Sequence, residues 1–296
     1  MLKEVSSRAY AKVNFGLRVL PKGLGSFHNS DGFHNIESIF QTIDLCDELR
    51  VTPISERACI VHCDSMQLPE NNTLSLAYNA FCECTGRDSI GLEVNLIKGI
   101  PAGGGLGGGS SDAAALIRIL QRFYDIELND KQLDYIASKT GSDVFFFMHC
   151  DKEGRGCALV SGRGEFVKKI ENPRDDLYLV MIFPESKSST KEAYALIDQA
   201  FSEGKEIKSP ELNELEDIYR MDPGKWTFIN TFTPVIASAN EEIGRAIEAL
   251  KNVGCCYTEM SGSGSTVFGA FTDRQQAISA SNLLGETWNC KLVQTV

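Results

Sequence analysis

Apolar positions in the first third of the chain follow the short periods of β-strands. Residues 8–20 mix β-branched and aromatic side chains, and residues 36–45 are mostly apolar, so both predict strands. Residues 49–54 and 58–63 flank a short polar turn and predict a hairpin. Leu92, Val94 and Leu96 alternate with polar residues as in a half-buried strand. The N-terminal part is therefore rich in strands.

Elsewhere the apolar residues recur at helical spacing, and one further apolar segment, 177–183, predicts a strand. The polar stretch 202–216 shows neither period. Helices and strands interleave without a regular strand–helix–strand rhythm, which favours an α+β fold over a doubly wound sheet. A weak, charged region near Glu165 predicts two domains, 1–165 and 166–296. The predicted helices are 72–84, a helix from Ser110 or Ser111 to Phe123, 130–140, 190–201, 240–251 and 274–284.

Composition narrows the classes of function. The 296 residues carry 29 Lys and Arg against 40 Asp and Glu, a formal charge of −11, which disfavours a nucleic-acid or anionic-membrane binder. The chain has no apolar stretch of the roughly 20 residues that a spanning helix needs, and no secretory leader, so we expect a cytoplasmic protein. Of ten cysteines, only Cys59 and Cys63, with His62, even loosely resemble metal-ligand spacing, and buried reduced thiols explain them better.

A glycine loop carries the strongest chemical signal. Residues 103–109 are all glycine except Leu106, and they lie between a predicted strand and a predicted helix. Backbone without Cβ atoms can wrap an anion with its N–H groups, and the following helix adds the positive end of its dipole. Ser110, Ser111 and Asp112 are typical capping residues at the junction. The loop therefore predicts a phosphate site, with a flexible linker as the alternative.

The glycine loop does not match the sequence motifs of three common phosphate-binding loops. No lysine follows the glycines as in a P-loop, although Gly103, Gly105 and Gly108 satisfy the weak G-x-G-x-x-G pattern. A dinucleotide fold needs a second strand about 20 residues later, where this chain predicts another helix. The V-A-I-K and H-R-D motifs of protein kinases are absent from the sequence.

The run I-P-A-G-G-G-L-G-G-G-S-S-D-A-A at 100–114 resembles the phosphate-loop motif of the GHMP kinases, and within that superfamily the chain most resembles the 4-diphosphocytidyl-2-C-methyl-D-erythritol kinases. Four further segments resemble other motifs of these kinases and follow the same order along the chain. They are A-K-V-N at 11–14, D-G-F-H-N at 31–35, G-S-D-V at 141–144 and M-S-G-S-G at 260–264. The chain departs from the family in a longer loop at 21–30 and in Phe145, which replaces a proline.

The resemblance implies a two-domain α+β architecture, with an N-terminal domain of a type also found in a ribosomal protein and a ferredoxin-like C-terminal domain. It implies phosphorylation of the 2-hydroxyl of 4-diphosphocytidyl-2-C-methyl-D-erythritol by ATP with Mg²⁺, and no protein ligand for the metal is evident. Asp143 matches the catalytic aspartate and Lys12 the active-site lysine. The residues that match substrate-binding positions are Asn14, Phe33, His34, Thr190 and Tyr194. Those that match the ATP site are Asn72, Lys98, Pro101, Ala102, Gly103, Gly104, Gly105, Leu106, Gly107, Gly108, Gly109, Ser110 and Ser111.

Two other functions remain open from the sequence. One is a related kinase that acts on another small alcohol, such as homoserine or mevalonate. The other is a sensor that binds a nucleotide without catalysis, which the presence of both Lys12 and Asp143 disfavours.

Overall fold

The structure is a computed structural model that describes residues 4–24, 33–63, 65–87, 90–205 and 207–296. The predicted loop at 21–30 and the first two residues of the D-G-F-H-N motif therefore lie largely outside the described residues. The strands are β1 (Val5–Val19), β2 (Ile36–Ile54), β3 (Cys59–Cys63), β4 (Gly91–Ile97), β5 (Cys157–Gly162), β6 (Phe166–Lys169), β7 (Tyr178–Ile182), β8 (Tyr257–Met260), β9 (Val267–Phe271) and β10 (Cys290–Gln294). The helices are α1 (Thr73–Thr85), α2 (Gly108–Tyr124), α3 (Asp130–Thr140), α4 (Ser142–Met148), α5 (Thr190–Ser202), α6 (Leu212–Arg220), α7 (Thr233–Ala239), α8 (Glu241–Asn252) and α9 (Arg274–Gly285).

The chain forms two compact units that are interleaved along the sequence. The first unit contains residues 1–11, 45–102 and 107–156, and the second contains the remainder. β1, β2 and the glycine loop therefore each contribute to both units. Because these units are discontinuous, they do not test the predicted boundary near Glu165.

In the first unit β4 is the central strand. The second half of β2 pairs with one edge of β4 in antiparallel register, from Glu48 opposite Ile97 to Ile54 opposite Gly91. β3 pairs with the other edge in parallel. The predicted hairpin of β2 and β3 is therefore wrong: at Gly91 a Cβ atom would lie 1.6 Å from the carbonyl oxygen of Glu56, so the chain crosses over β4 there before β3 begins. Helices α1 to α4 pack together in this unit.

The second unit holds two groups of paired strands. The first half of β2 pairs with β5, and β5 with β6, all antiparallel. A four-stranded antiparallel sheet has the order β10-β7-β9-β8, with α8 and α9 packed on it. Its aromatic core includes the Phe15 ring, whose centroid is 5.0 Å from that of Trp226. The next residue, Gly16, has φ +67°, and a Cβ there would lie 3.0 Å from Phe228 Cδ1, so the Phe228 ring packs closely on this backbone.

The predicted helices are confirmed as α1, α2, α3, α5, α8 and α9, each with bounds close to those expected. Asn72 caps α1 by accepting from the Leu74 and Ser75 amides, and Asn129 caps α3. Helix α6 lies partly inside the stretch that the sequence analysis left without a period, and α7 was not predicted. Among the described residues, no helix combines the length and apolar character that a membrane crossing needs.

Candidate active site

The first half of the glycine loop packs in the second unit. Gly103 and Gly105 have φ +74° and +76°, which glycine adopts without strain. A Cβ on Gly105 would lie 2.0 Å from the carbonyl oxygen of Ser261, so no other residue fits there. Leu106 is 1% exposed, and its carbonyl accepts from the Lys12 amide at 3.0 Å. Leu106 therefore anchors the loop.

The second half of the loop starts α2 in the first unit. Helix α2 begins at Gly108, preceded by Gly107 at φ +70°, and no side chain caps it among the described residues. Ser110, Ser111 and Asp112 therefore lie inside the helix rather than at its cap, which corrects the expected start. Gly108 itself is closely packed, because a Cβ on it would lie 3.3 Å from Lys98 Nζ. The first amides of α2 are left for an anion.

Catalytic chemistry in this unit would begin at Asp143, in the first turn of α4. Its carboxylate is half-buried, and the positive end of the α4 dipole stabilises its negative charge. The two helix N-termini are neighbours, because a Cβ placed on Gly141, just before α4, would lie 4.0 Å from Ser110 Oγ. The first unit thus brings the phosphate-loop helix and the helix of Asp143 together at their N-terminal ends.

A buried cluster that the sequence analysis missed braces the start of the loop. Asp47 on β2 is fully buried, and its Oδ1 accepts from the amides of Gly99 at 2.7 Å and Ile100 at 2.8 Å. Its Oδ2 contacts Lys98 Nζ, which also lies 3.1 Å from Asp112 Oδ2. The cluster therefore links β2, the residues before the loop and the first turns of α2.

Burial controls the charges of this cluster. Desolvation is the main cause that raises the pKa of Asp112 to about 8; Asp47 adds to the shift and Lys98 opposes it. For Lys98, burial acts to lower the pKa, but the two carboxylates together raise it above its ordinary value. Asp112 Oδ1 is buried with no hydrogen-bond partner among the described residues. Burial thus favours the protonated form of Asp112 in this cluster.

Lys12 and Asn14, two residues apart, project from the same face of β1. Both side chains are almost fully buried, at 3% and 1% exposed. Lys12 Nζ donates to Asn14 Oδ1 at 2.7 Å and lies 4.6 Å from the centre of the Phe40 ring. Asn14 Nδ2 donates to Ser38 Oγ at 3.2 Å. Asn14 thereby holds the Lys12 ammonium in one position.

The expected substrate residues form two groups in the second unit. The His34 ring stacks on Tyr194 with centroids 5.1 Å apart and an interplanar angle of 20°. His34 Nδ1 lies 2.7 Å from the carbonyl oxygen of Leu20, and the Phe33 ring is 61% exposed. Thr190 Oγ1 lies 3.1 Å from Ser263 Oγ instead, beside the turn after β8. The structure thus joins His34 with Tyr194 but not with Thr190.

Several other expected residues have local roles. Asn72 caps α1, and its Nδ2 donates to the carbonyl of Pro69, so both ends of its amide are engaged. Pro101 and Ala102 are exposed ahead of the glycines. Burial raises the pKa of the Cys59 thiol to about 12, which makes it a poor metal ligand. Over the described ranges, no cluster of three or more His, Cys, Asp or Glu is placed to hold a metal ion.

Comparison with known proteins gives concordant matches. Residues 72–151 match the GHMP kinases N terminal domain, and residues 207–290 match the GHMP kinases C terminal domain. The chain is 34% identical to 4-diphosphocytidyl-2-C-methyl-D-erythritol kinase of Treponema pallidum, over 97% of both chains. It is 38% identical to the Thermotoga maritima enzyme of the same name, over 89% of this chain and 90% of that one.

Solved structures agree with these matches. A crystal structure of 4-(cytidine 5'-diphospho)-2C-methyl-D-erythritol kinase superposes with a TM-score of 0.75 at 28% identity, over 98% of this chain and 99% of the other. Homoserine kinase from Cytophaga hutchinsonii superposes with a TM-score of 0.72 at 18% identity, over 100% and 96% of the two chains, a likeness of fold alone.

Proposed function

The chain belongs to the 4-diphosphocytidyl-2-C-methyl-D-erythritol kinase family of the GHMP kinases, and from this we propose that it transfers the γ-phosphoryl group of ATP to the 2-hydroxyl of 4-diphosphocytidyl-2-C-methyl-D-erythritol. It is an ATP-dependent small-molecule kinase with an α+β GHMP fold. The observation that carries the reaction chemistry is the meeting of the uncapped α2 N-terminus with the N-terminus of α4, which bears Asp143.

The glycine loop binds the phosphates of ATP in this proposal. The free amides at the start of α2 donate to phosphate oxygens, and the helix dipole favours their negative charge. Close packing of Gly105 and Gly108 against their neighbours fixes the loop before ATP arrives, so little conformational entropy is lost on binding.

Phosphoryl transfer then needs one oriented hydroxyl. Asp143 accepts the proton of the substrate's 2-hydroxyl as that oxygen bonds to the γ-phosphorus and the bond to ADP breaks. Lys12, held by Asn14, stabilises the negative charge on the transferred phosphoryl group. His34 and Tyr194, together with Phe33, form the site for the cytidine base, which an aromatic ring binds by stacking.

Mg²⁺ fits the oxygen chemistry at the start of α2. Ser111 Oγ is buried there without a hydrogen-bond partner in the described part of the chain, and a hydroxyl oxygen is a ligand that suits Mg²⁺. When bound, the ion shields the phosphate charges. We propose that ATP oxygens and water supply most of its other ligands.

The test is acceptor-dependent ADP formation by the purified protein with Mg²⁺ and ATP. We expect ADP with the diphosphocytidyl alcohol and none with homoserine or mevalonate, and ³¹P NMR of the product should locate the new phosphate on the 2-hydroxyl. Folded protein that binds ATP but makes no ADP with this alcohol would refute the proposed function, and activity on homoserine or mevalonate would favour a related kinase.

Asp143→Asn supplies the mechanistic control. The amide cannot accept the hydroxyl proton, so we expect kcat to fall by about 10²- to 10⁴-fold while ATP affinity, measured by calorimetry, stays close to wild type. Asp134→Asn, at an exposed carboxylate on α3, is the matched substitution and should leave kcat unchanged. Full kcat in Asp143→Asn would remove Asp143 from the reaction.

A further inference from the structure

The turn that follows β8, residues 260–264, links both halves of the catalytic apparatus in the second unit. Ser261 Oγ donates to the carbonyl of Gly105 at 3.0 Å, in the glycine loop. The Gly262 amide donates to Asn14 Oδ1 at 2.9 Å, and the same oxygen accepts from Lys12 Nζ. The position of this turn therefore determines where Asn14, and through it the Lys12 ammonium, is held.

Within the turn, two backbone hydrogen bonds close the chain on itself: the Gly264 amide donates to the Ser261 carbonyl at 3.0 Å, and the Ser261 amide donates to the Thr266 carbonyl at 2.9 Å. Gly262 and Gly264 have φ +57° and +83°, and neither carries a side chain that packs. A flexible turn would let Asn14 and the glycine loop shift relative to each other, and misplacement of a reacting group by about 1 Å can cost about 100-fold in rate. An anchor outside the turn would prevent such a shift.

Asn230, just before α7, is that anchor. Its side chain is fully buried, and its Nδ2 donates to the carbonyls of Met260 at 2.8 Å and Gly262 at 2.7 Å. Its Oδ1 accepts from the amide of Phe232 at 3.0 Å. Both amide hydrogens are used on the turn, so an aspartate at 230 would place a carboxylate against two carbonyl oxygens and repel them.

Glu259 in turn fixes Asn230. Glu259 is 7% exposed, and its Oε2 accepts from the backbone amide of Asn230 at 2.9 Å. Oε1 accepts from the Met260 amide at 3.0 Å and from the Thr233 hydroxyl. Every neighbour of this carboxylate is a hydrogen-bond donor. In Glu259→Gln the side-chain N–H groups would therefore point at another N–H or O–H group. Two buried side chains thus hold the backbone of the turn from both ends.

We propose that Asn230, held by Glu259, is a positioning residue for phosphoryl transfer, one that fixes the 260–264 turn so that Lys12 and the glycine loop keep their reactive placement. The proposal rests on the proposed kinase function. Asn230 touches no reacting atom, and it acts through Gly262 and Asn14.

Asn230→Ala tests the proposal through a split between kcat and KM. We expect kcat to fall by about tenfold or more, and by a larger factor than KM for the diphosphocytidyl substrate changes, because Lys12 acts on the phosphoryl group in transfer. The Gly262 amide should also exchange its hydrogen faster, since its acceptor is no longer aligned. Unchanged kcat in the folded variant would overturn the proposal.

Asn240→Ala is the matched control. Asn240 caps α8 by accepting from the Glu242 and Ile243 amides, so its loss lowers stability within the same unit. It should change neither kcat nor Gly262 exchange. If Asn240→Ala lowers kcat as much as Asn230→Ala does, the effect is one of stability and the proposal fails.

Two further outcomes are separable. If Asn230→Ala does not fold, Thr233→Val serves as the test instead, because it removes one hydrogen-bond donor to Glu259 and keeps the shape of the side chain. A folded Thr233→Val variant with wild-type kcat and wild-type Gly262 exchange then overturns the proposal. If the wild-type protein makes no product, the proposed function fails. In that case Gly262 exchange alone decides whether Asn230 holds the turn, and unchanged exchange in Asn230→Ala refutes it.

Discussion

The raised pKa of Asp112 makes the stability of this protein depend on pH in a defined direction. A carboxyl group whose pKa is about 8 when folded and about 3.9 when unfolded binds its proton more tightly in the folded state. Its contribution to the free energy of unfolding is therefore complete below the unfolded pKa and is lost as the pH rises through about 8. Asp112→Asn keeps the shape, stays neutral and removes this dependence.

The size of the effect follows from the shift. Between about pH 5 and 7 the wild-type contribution falls by about 1.4 kcal/mol per pH unit, and this slope halves at the folded pKa of about 8. From pH 6 to pH 8 the stability of Asp112→Asn relative to wild type should therefore rise by about 2 kcal/mol. The side chain is only 3% exposed, so solvent screening does little to reduce this value. Titrations shared by the two proteins cancel in the difference.

Urea unfolding followed by circular dichroism at pH 5.5 to 9 measures this difference. We expect it to rise towards pH 8 and then level off, because Asp112 is ionised in both states at higher pH. Asp217→Asn, at an exposed carboxylate on α6, is the matched substitution and should give a flat difference. A flat or falling difference for Asp112→Asn would refute the claim that Asp112 is protonated in the folded protein at neutral pH.

Two further predictions concern the glycine loop and the buried cluster of Asp47, Lys98 and Asp112 at its start. Gly105→Ala should abolish ATP binding measured by calorimetry, because its Cβ would meet the Ser261 carbonyl oxygen at 2.0 Å. The matched control is Gly103→Ala, which has a similar φ but no atom within 4 Å of its Cβ. It should cost only about 1–2 kcal/mol of strain and keep measurable affinity for ATP. Equal affinities would contradict this steric argument. Asp47→Ala should lower the free energy of unfolding by about 3–5 kcal/mol, because the buried Lys98 charge loses the Asp47 carboxylate as its partner. The same change should raise KM for ATP. Wild-type stability in this variant would show that the cluster does not stabilise the start of the loop.

Local signals predicted the helices well where the chain carries caps. The side chains of Asn72 and Asn129 cap the starts of α1 and α3, and the Gly141 backbone amide donates to the Ala137 carbonyl at the end of α3. The start of α2 was misplaced because the capping residue is Gly107, which no capping rule distinguishes within a run of glycines. Helix α6 was missed although Leu215, Ile218 and Tyr219 are buried at helical spacing, since the surrounding charges obscured that period.

Pairing between distant segments was the part that local pattern could not supply. The turn after β2 suggested a hairpin, but β3 pairs with β4, about 30 residues further on. The motif residues Lys12 and Asn14 share a face because side chains alternate along the predicted strand, which is a local rule. The partners that hold them, Gly262 and Ser38, come from other parts of the chain, and no local pattern indicates that they contact β1.

Asp47 and Glu259 illustrate why a phosphate site built from glycine needs buried carboxylates. Each lies at the foot of a glycine-rich turn and accepts two backbone amides, Asp47 from Gly99 and Ile100, and Glu259 from Asn230 and Met260. A run of glycines has no side chains to order it, so its entropy cost on folding is high. A charged acceptor forms stronger hydrogen bonds to amides than a neutral one, and both carboxylates are buried. In sequence both residues resemble solvated charges, and their function becomes visible only when the backbone that they hold is in place.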